Sequence, residues 1–215
     1  MSGTFNTPTA MVSMPTTALY NAWASTYDHD QNVLQQLDSQ AFGSTIPSLI
    51  SSLPANATIL DLGAGTGRNT LRLLELLPPT AQVLAVDASQ EMLALCEKRC
   101  EGYNNVKYEV YDMSKSAIAP AGSVDAVVST LVLEHVKLET FFATVAIVLK
   151  KGGWAWVTDM SQGMGESVAS FRDQEGVKRR GDSWNWGLEE TVEEARRAGL
   201  ELVGELKELG VQEGD

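Results

Sequence analysis

What the chain lacks narrows its chemistry first. Its 215 residues hold two cysteines and two histidines. A zinc site needs about four such ligands, so none is signalled, and no three-cysteine arrangement suggests an iron–sulfur cluster. Cys96 and Cys100, four apart on a helical stretch, read as reduced, half-buried thiols. Positive charge is scarce: 16 Lys and Arg against 28 Asp and Glu leave a net charge of −12. A nucleic-acid binder normally carries a basic patch, and the one dense cationic cluster, Lys178-Arg179-Arg180, reads as a solvated loop. No Lys or Arg precedes Arg68, which argues against a secretory signal or a transit peptide and leaves the cytoplasm as the expected compartment. No apolar run reaches the ~20 residues of a membrane span, so no membrane is expected either. Neither an internal repeat nor a linker is visible, and the length suits one domain with a full core.

What is there centres on residues 58–70. Ile59, Leu60 and Leu62 form a short apolar run that ends in Gly63, Gly65 and Gly67. Leu71, Leu73, Leu74, Leu76 and Leu77 then follow at helical spacing. That order predicts a buried strand, a glycine turn and a helix. Glycines there let a ligand approach the backbone, and the helix points unpaired N–H groups and a positive dipole end at whatever lies over the turn. A dinucleotide fingerprint would place its third glycine at position 68. Arg68 stands there, and the glycine falls one residue early.

The flanking segments supply further strands and helices. Residues 1–17, rich in Thr, Ser and Pro, read as a disordered tail ahead of a domain over 18–215. Residues 18–44 suggest two short amphipathic helices, with Tyr20, Trp23 and Tyr27 on one face beside Asp28 and Asp30. They form either a helix docked on the core or a lid over a ligand. Residues 45–53 predict a further helix. Residues 82–87 predict a second buried strand ending in Asp87, 20 residues after Gly67, where a carboxylate can accept both hydroxyls of a ribose. Ser89 suits the N-cap of a helix through Cys100, with Met92 turned toward the same pocket. Strands are also expected over 106–111, 124–130 and 154–158, a helix over 141–149 stopped by Lys151-Gly152-Gly153, an acidic helix over 188–198, and a sixth strand near Leu200–Leu209. The glycine-rich, tryptophan-bearing stretch 161–187 reads as a long connection.

Asp61-x-Gly63-x-Gly65-x-Gly67, with Asp87, Asp112 and Leu133-Glu134-His135-Val136 at matching spacing, resembles the class I S-adenosylmethionine-dependent methyltransferases. The likeness covers about residues 58–160 and lies near the small-molecule branch that includes quinone-biosynthesis C-methyltransferases. It implies an α/β, Rossmann-like, doubly wound and mostly parallel sheet with helices on both faces, and S-adenosyl-L-methionine as cofactor. It also implies cofactor contacts from Asp61, Gly63, Ala64, Gly65, Gly67, Asp87, Ala88 and Met92. Asp112 would accept from the adenine amino group, Met113 would pack on the ring, and Thr130 and Leu131 would flank the methionine part. The segment Tyr20 to Asp28 resembles the family's N-terminal cover, which places Tyr20, Trp23 and Tyr27 over the cofactor, and 161–187 would lie on the substrate side.

Methyl transfer is an in-line displacement, so the protein chiefly aligns the partners and excludes water. His135 is the candidate base for a hydroxyl or acidic carbon; the other reading of it is a histidine bonded to structure. His29 is a second, weaker candidate. Ser129-Thr130-Leu131-Val132 lacks the Asn/Asp-Pro-Pro-aromatic sequence of adenine-N6 enzymes. The expected function is methyl transfer to a small-molecule acceptor. One alternative is a cofactor-binding partner subunit without turnover, and another is a nicotinamide-dependent oxidoreductase, disfavoured by the glycine spacing. Family members carry a seventh, antiparallel strand, whereas six can be counted here. That shortfall predicts either a sixth strand paired directly with the fifth or an open edge, with weak turnover and some self-association.

Overall fold

The computed structural model describes residues 11–29, 32–113, 118–161 and 169–210. Asp30, Gly163, Gly165 and residues 1–10 of the expected tail lie outside the described residues.

Five parallel strands form the central sheet in the order β4-β3-β2-β5-β6. They are β2 (Thr58–Leu62), β3 (Gln82–Asp87), β4 (Val106–Val110), β5 (Val124–Thr130) and β6 (Leu149–Thr158). The order reverses beside β2, and in open parallel sheets ligands bind at such a switch point, outside the carboxyl ends of the strands. The glycine turn follows β2 at that point.

Strand residues alternate between the two faces, as a period of two requires. Ile59, Val83, Ala85, Ala126 and Val128 pack with Phe42, Ile46 and Leu73. Leu60, Leu62, Val86 and Val127 pack on the other side with Phe141, Phe142 and Val145. The first face is covered by α2 (Val33–Ile50), α3 (Arg68–Leu76) and α4 (Gln90–Arg99), the second by α5 (Leu138–Val148) and α6 (Leu188–Arg197). The doubly wound expectation holds. No helix among the described residues is long and apolar enough to cross a membrane.

Several local expectations are corrected. Met11–Ser13 is not tail but a strand, β1, paired in parallel with β8 (Lys178–Arg180), and α1 (Thr16–Tyr27) starts directly after it. The cationic cluster is therefore a strand, in which Arg179 pairs with Asp173 at 2.7 Å. β7 (Ser170–Arg172) pairs antiparallel with β8, so the 161–187 stretch carries a hairpin. The two helices expected over 33–53 are one, 18 residues long, running through Pro47. Burial of Phe42, Ile46 and Ile50 on the sheet outweighs the single hydrogen bond a helical proline removes.

Lys151-Gly152-Gly153 does not stop α5; it lies inside β6, whose register with β5 slips between Val124 and Ala126. A Cβ on Gly153 would sit 2.7 Å from the Asp125 carbonyl oxygen, so a backbone approach sets that glycine. Residues 200–210 form no strand. Gly204 takes φ +82° and no neighbouring ladder is offered, so the apolar residues there cannot pair. Of the two arrangements anticipated for the far side of the sheet, the open one occurs: β6 has β5 as its one partner among the described residues.

Candidate active site

The three glycines of the turn all have positive φ but do different work. At Gly63 an added Cβ would meet Val132 Cγ2 at 2.3 Å, and at Gly67 it would meet Cys96 Sγ at 2.7 Å and Cys96 Cα at 2.9 Å. Gly67 thus lets α3 and α4 pack, whereas the space beside Gly65 is open. The Gly65 N–H donates to Asp87 Oδ2 at 2.8 Å, and the Ser89 N–H donates to Asp87 Oδ1 at 2.8 Å. Asp87 is therefore locked against the turn, in the position anticipated for a ribose acceptor. Burial raises its pKa while those amides lower it. Ser89 caps α4 by accepting from the Met92 N–H, and its hydroxyl donates to Asn21 of α1.

A cavity of about 40 Å³ lies over the turn, lined by Tyr27, Gln35, Asp61, residues 63–66, Arg68, Asn69, Thr130 and Leu131. Seven of the anticipated cofactor residues meet there. Tyr20 and Trp23 stand behind Tyr27, with ring centroids 5.9 and 4.9 Å from it. Met92 is buried beneath the Asp87 loop. Ala88 sits between Asp87 and Ser89, its N–H also directed to the Asp87 carboxylate. Asp112 and Met113 follow β4, half-buried, and Met113 packs on the α5 side of the core. Gly67 is turned into the helix packing. A larger concavity, about 470 Å³, touches Glu97, Cys100, Tyr103 and Tyr108. It opens where β4 begins, at the opposite end of the strands, and holds none of this chemistry.

Leu131 is the one non-glycine residue at positive φ among the described residues, at +57°. Its N–H donates to the Thr158 carbonyl at 2.8 Å, which pins it across the ends of β5 and β6. Left-handed backbone at a leucine costs roughly 1–2 kcal/mol, and such strain concentrates at ligand-binding loops.

Asp61 is buried, accepts from the Thr70 hydroxyl at 2.6 Å, and has its pKa raised by burial to about 6. Gln35 Nε2 is buried at the same cavity without a hydrogen-bond partner among the described residues. An unmatched amide donor, a poised carboxylate, a backbone cradle beside Gly65 and the N-terminus of α3 fit the carboxylate and ammonium of an amino-acid moiety. With the Asp87 carboxylate fixed at the edge of the same turn, the donor set fits S-adenosylmethionine.

Sequence reasoning missed the group that holds the cavity's rear wall. Asp38, on α2, is buried. Its Oδ2 accepts from Arg68 Nη2 at 2.5 Å and Asn69 Nδ2 at 3.2 Å, and its Oδ1 from the Thr158 hydroxyl at 2.5 Å. Asn69 Nδ2 also donates to Thr130 Oγ1 at 3.1 Å. One carboxylate ties α2 to the glycine turn and to the ends of β5 and β6. A charged residue on an otherwise mixed helix gave no sign of this, because the partners lie 30 and 120 residues away.

His135 lies in a 3-10 turn, Leu133–His135. Its Nδ1 lies 3.2 Å from the Asp182 carbonyl and its Nε2 2.8 Å from the Tyr20 hydroxyl. A carbonyl can only accept, so Nδ1 carries the proton and Nε2 accepts from the phenol. Both nitrogens are engaged, as the structural reading of this residue anticipated. His29 is exposed at the end of α1, and Asp28 beside it pairs with Arg99 at 2.5 Å.

A switch-point cleft, a glycine turn and a strand-end carboxylate together define a nucleoside-binding α/β protein. The comparisons with known proteins make this specific. Residues 59–153 match the family profile described as a methyltransferase domain. The chain is 33% identical to an uncharacterized methyltransferase, AN0656 of Emericella nidulans, over 86% of this chain and 75% of that protein. It is 28% identical to the demethylmenaquinone methyltransferase of Tropheryma whipplei over 66% of this chain and 58% of that protein. Among solved structures a DhpI–SAH complex superposes with a TM-score of 0.65 and 26% identity, covering 85% of this chain and 84% of that one. The chain belongs to the S-adenosylmethionine-dependent methyltransferases, and S-adenosylmethionine is its cofactor.

Proposed function

We propose that this protein transfers the methyl group of S-adenosylmethionine to a small-molecule acceptor held between the 3-10 turn, α1 and the ends of β5 and β6. The observation that carries this reading is the convergence of Asp61, Gly65 and Leu131 on one cavity beside Tyr27 of α1, with Asp87 bonded to the Gly65 N–H at its edge. The cofactor supplies an activated methyl group on a sulfonium. The chain's own task is to hold and align. Asp87 accepts the ribose hydroxyls, Asp112 and Met113 hold the adenine, and Gln35 with the residue 63–65 backbone holds the amino-acid end. Tyr20, Trp23 and Tyr27 exclude water, which strengthens every electrostatic contact inside.

A net charge of −12 favours a small acceptor over a nucleic acid, and the same reading places the protein in the cytoplasm. Self-association along the outer edge of β6 belongs to it too, since an edge strand offers free backbone groups to a second chain; light scattering reads that directly, and a monodisperse monomer would remove it.

Calorimetry with S-adenosylhomocysteine and NAD, followed by turnover of labelled S-adenosylmethionine in a metabolite extract, tests the function. Binding of the first ligand and not of NAD is expected, with label appearing in a small molecule. Label confined to nucleic acid, or binding without any turnover, would replace the reading, the latter with the partner-subunit alternative. Asp87→Ala removes a charged acceptor worth ~1.5–3 kcal/mol, so affinity should fall roughly tenfold to a hundredfold.

A further inference from the structure

One carboxylate near the site has no place in cofactor binding. Asp159 directly follows β6. It receives the backbone N–H groups of Met160 and Glu134, while its Oδ1 is enclosed and has no hydrogen-bond partner among the described residues. Beside it stands Glu134, whose side chain is 9% exposed. Glu134 Oε2 accepts from the Ser183 hydroxyl at 3.1 Å, and its Oε1 comes no nearer than 3.6 Å to His135 Nε2. No lysine or arginine pairs with either acid among the described residues. A buried and a half-buried carboxylate side by side, with no lysine or arginine beside them, are costly to keep ionised. Burial and the Glu134 charge raise the Asp159 pKa to about 7, the two backbone N–H groups offsetting them only in part.

Their location gives the pair a use. The Tyr20 hydroxyl lies 2.8 Å from His135 Nε2, which in turn lies 3.6 Å from Glu134 Oε1, and besides burial the charges of Glu134, Asp87 and Asp159 raise the pKa of this phenol. The acids stand at the ends of β5 and β6, where an acceptor would meet the methyl group. His135 has no free nitrogen to serve as base, whereas Asp159 Oδ1 is an acceptor without a donor. Ser183, Trp184 and Trp186 close this side, the two indoles stacked with centroids 6.2 Å apart.

Resting on the methyltransferase reading, we infer that the acceptor is an amine, bound as its ammonium between Glu134 and Asp159, with Asp159 taking its proton. The ammonium supplies the missing counter-charge and donors on binding. One N–H proton passes to Asp159 Oδ1, which frees the nitrogen lone pair. The lone pair forms the N–CH₃ bond as the methyl–sulfur bond breaks, its electrons leaving on sulfur as the neutral thioether. The nitrogen is again a cation, and Asp159 returns its proton to solvent as the methylated ammonium departs. A carboxylate acceptor would meet two like charges in the same place.

The test uses three probes of one skeleton and different charge: phenethylamine, 2-phenylethanol and phenylacetate. Each is titrated by calorimetry into the protein saturated with S-adenosylhomocysteine, and each is offered with labelled S-adenosylmethionine. Charge-assisted hydrogen bonds set the expectation of roughly tenfold to a hundredfold tighter binding for the amine than for the alcohol, with none for the carboxylate. Asp159→Asn, nearly isosteric, should weaken amine binding about tenfold or more and lower kcat, while S-adenosylhomocysteine affinity stays unchanged. Glu134→Gln should weaken amine binding with less effect on kcat. Alcohol or carboxylate binding equal to that of the amine, or an Asp159→Asn variant that handles the amine as the parent does, overturns the inference. Failure to bind S-adenosylhomocysteine at all would instead overturn the methyltransferase reading beneath it.

Discussion

At the scale of single residues, Gly65 and Gly67 look alike in sequence and separate in the fold. A Cβ on Gly67 would press on the Cys96 sulfur and backbone at 2.7 and 2.9 Å, and rigid packing of that kind costs about 1–3 kcal/mol. A Cβ on Gly65 meets nothing within 4 Å but must accept φ +56°, a strain of roughly 1–2 kcal/mol. Gly67→Ala should therefore lower the melting temperature more, and Gly65→Ala should mainly abolish S-adenosylhomocysteine binding by filling the cradle. Thermal melts and calorimetry on the two variants check this; equal loss of binding at equal stability would mean the two glycines share one role.

Asp61 carries a pH dependence. Its pKa in the fold, about 6, stands above the ordinary 3.8 because of burial. A raised acid contributes stability that is complete below the unfolded value, about pH 4, and is lost as pH rises through 6. Asp159, raised to about 7, acts in the same direction over a slightly higher range. A bound cation relieves the ionised form, so affinity for S-adenosylmethionine should rise from about pH 5 to pH 7. Asp61→Asn should flatten that rise and leave the free protein no less stable at neutral pH. Calorimetry across the range decides it; a flat profile in the parent protein would show that Asp61 does not sense the ligand.

At the scale of elements, α2 is held by a polar centre as much as by its apolar face. Asp38 joins Arg68, Asn69 and Thr158, and breaking a mostly buried pair from one side costs about 3–5 kcal/mol. Arg68 is 25% exposed, which places Asp38→Ala near the lower end of that range. Denaturant unfolding should show it, and Asp38→Asn should lose less because its amide oxygen still accepts. An Asp38→Ala loss below about 1 kcal/mol would mean water replaces the network without cost.

At the scale of the whole molecule, the small sheet β1-β8-β7 and helix α1 form one cover. β1 pairs with β8 along Met11–Ser13, Trp23 stacks on Phe171 with centroids 5.5 Å apart, and Gly181 lies against Leu19 and Thr16. The cavity beneath measures about 40 Å³, whereas pockets for ligands of nucleoside size run to ~300 Å³ or more. The predicted consequence is that the cover lifts to admit the cofactor. Hydrogen exchange should change together in residues 11–27 and 170–181 on addition of S-adenosylhomocysteine, with the central strands unaffected. A change confined to α1 would separate the helix from the hairpin.

What was legible in the sequence follows from local physics. The glycine turn, the strands that end at Leu62, Asp87 and Thr130, the Ser89 cap and the acidic last helix all rest on interactions within a few residues of chain, and each stands where its pattern put it. The chain's membership of the methyltransferases was legible through resemblance, carried by the glycine turn, Asp87, Asp112 and the stretch Leu133-Glu134-His135-Val136 taken together. What the sequence left undecided depends on distant partners. The strand at Met11–Ser13 exists only because Lys178–Arg180 lies beside it, and Leu200–Leu209, apolar enough for a strand, stays irregular because no ladder receives it. Asp38 and Asp159 carry no signal in the sequence pattern; the fold encloses them. Only the tertiary structure could enclose them: Asp38 meets its partners 30 and 120 residues away, Asp159 meets Glu134 from the end of another strand, and no local pattern contains both members of such a pair.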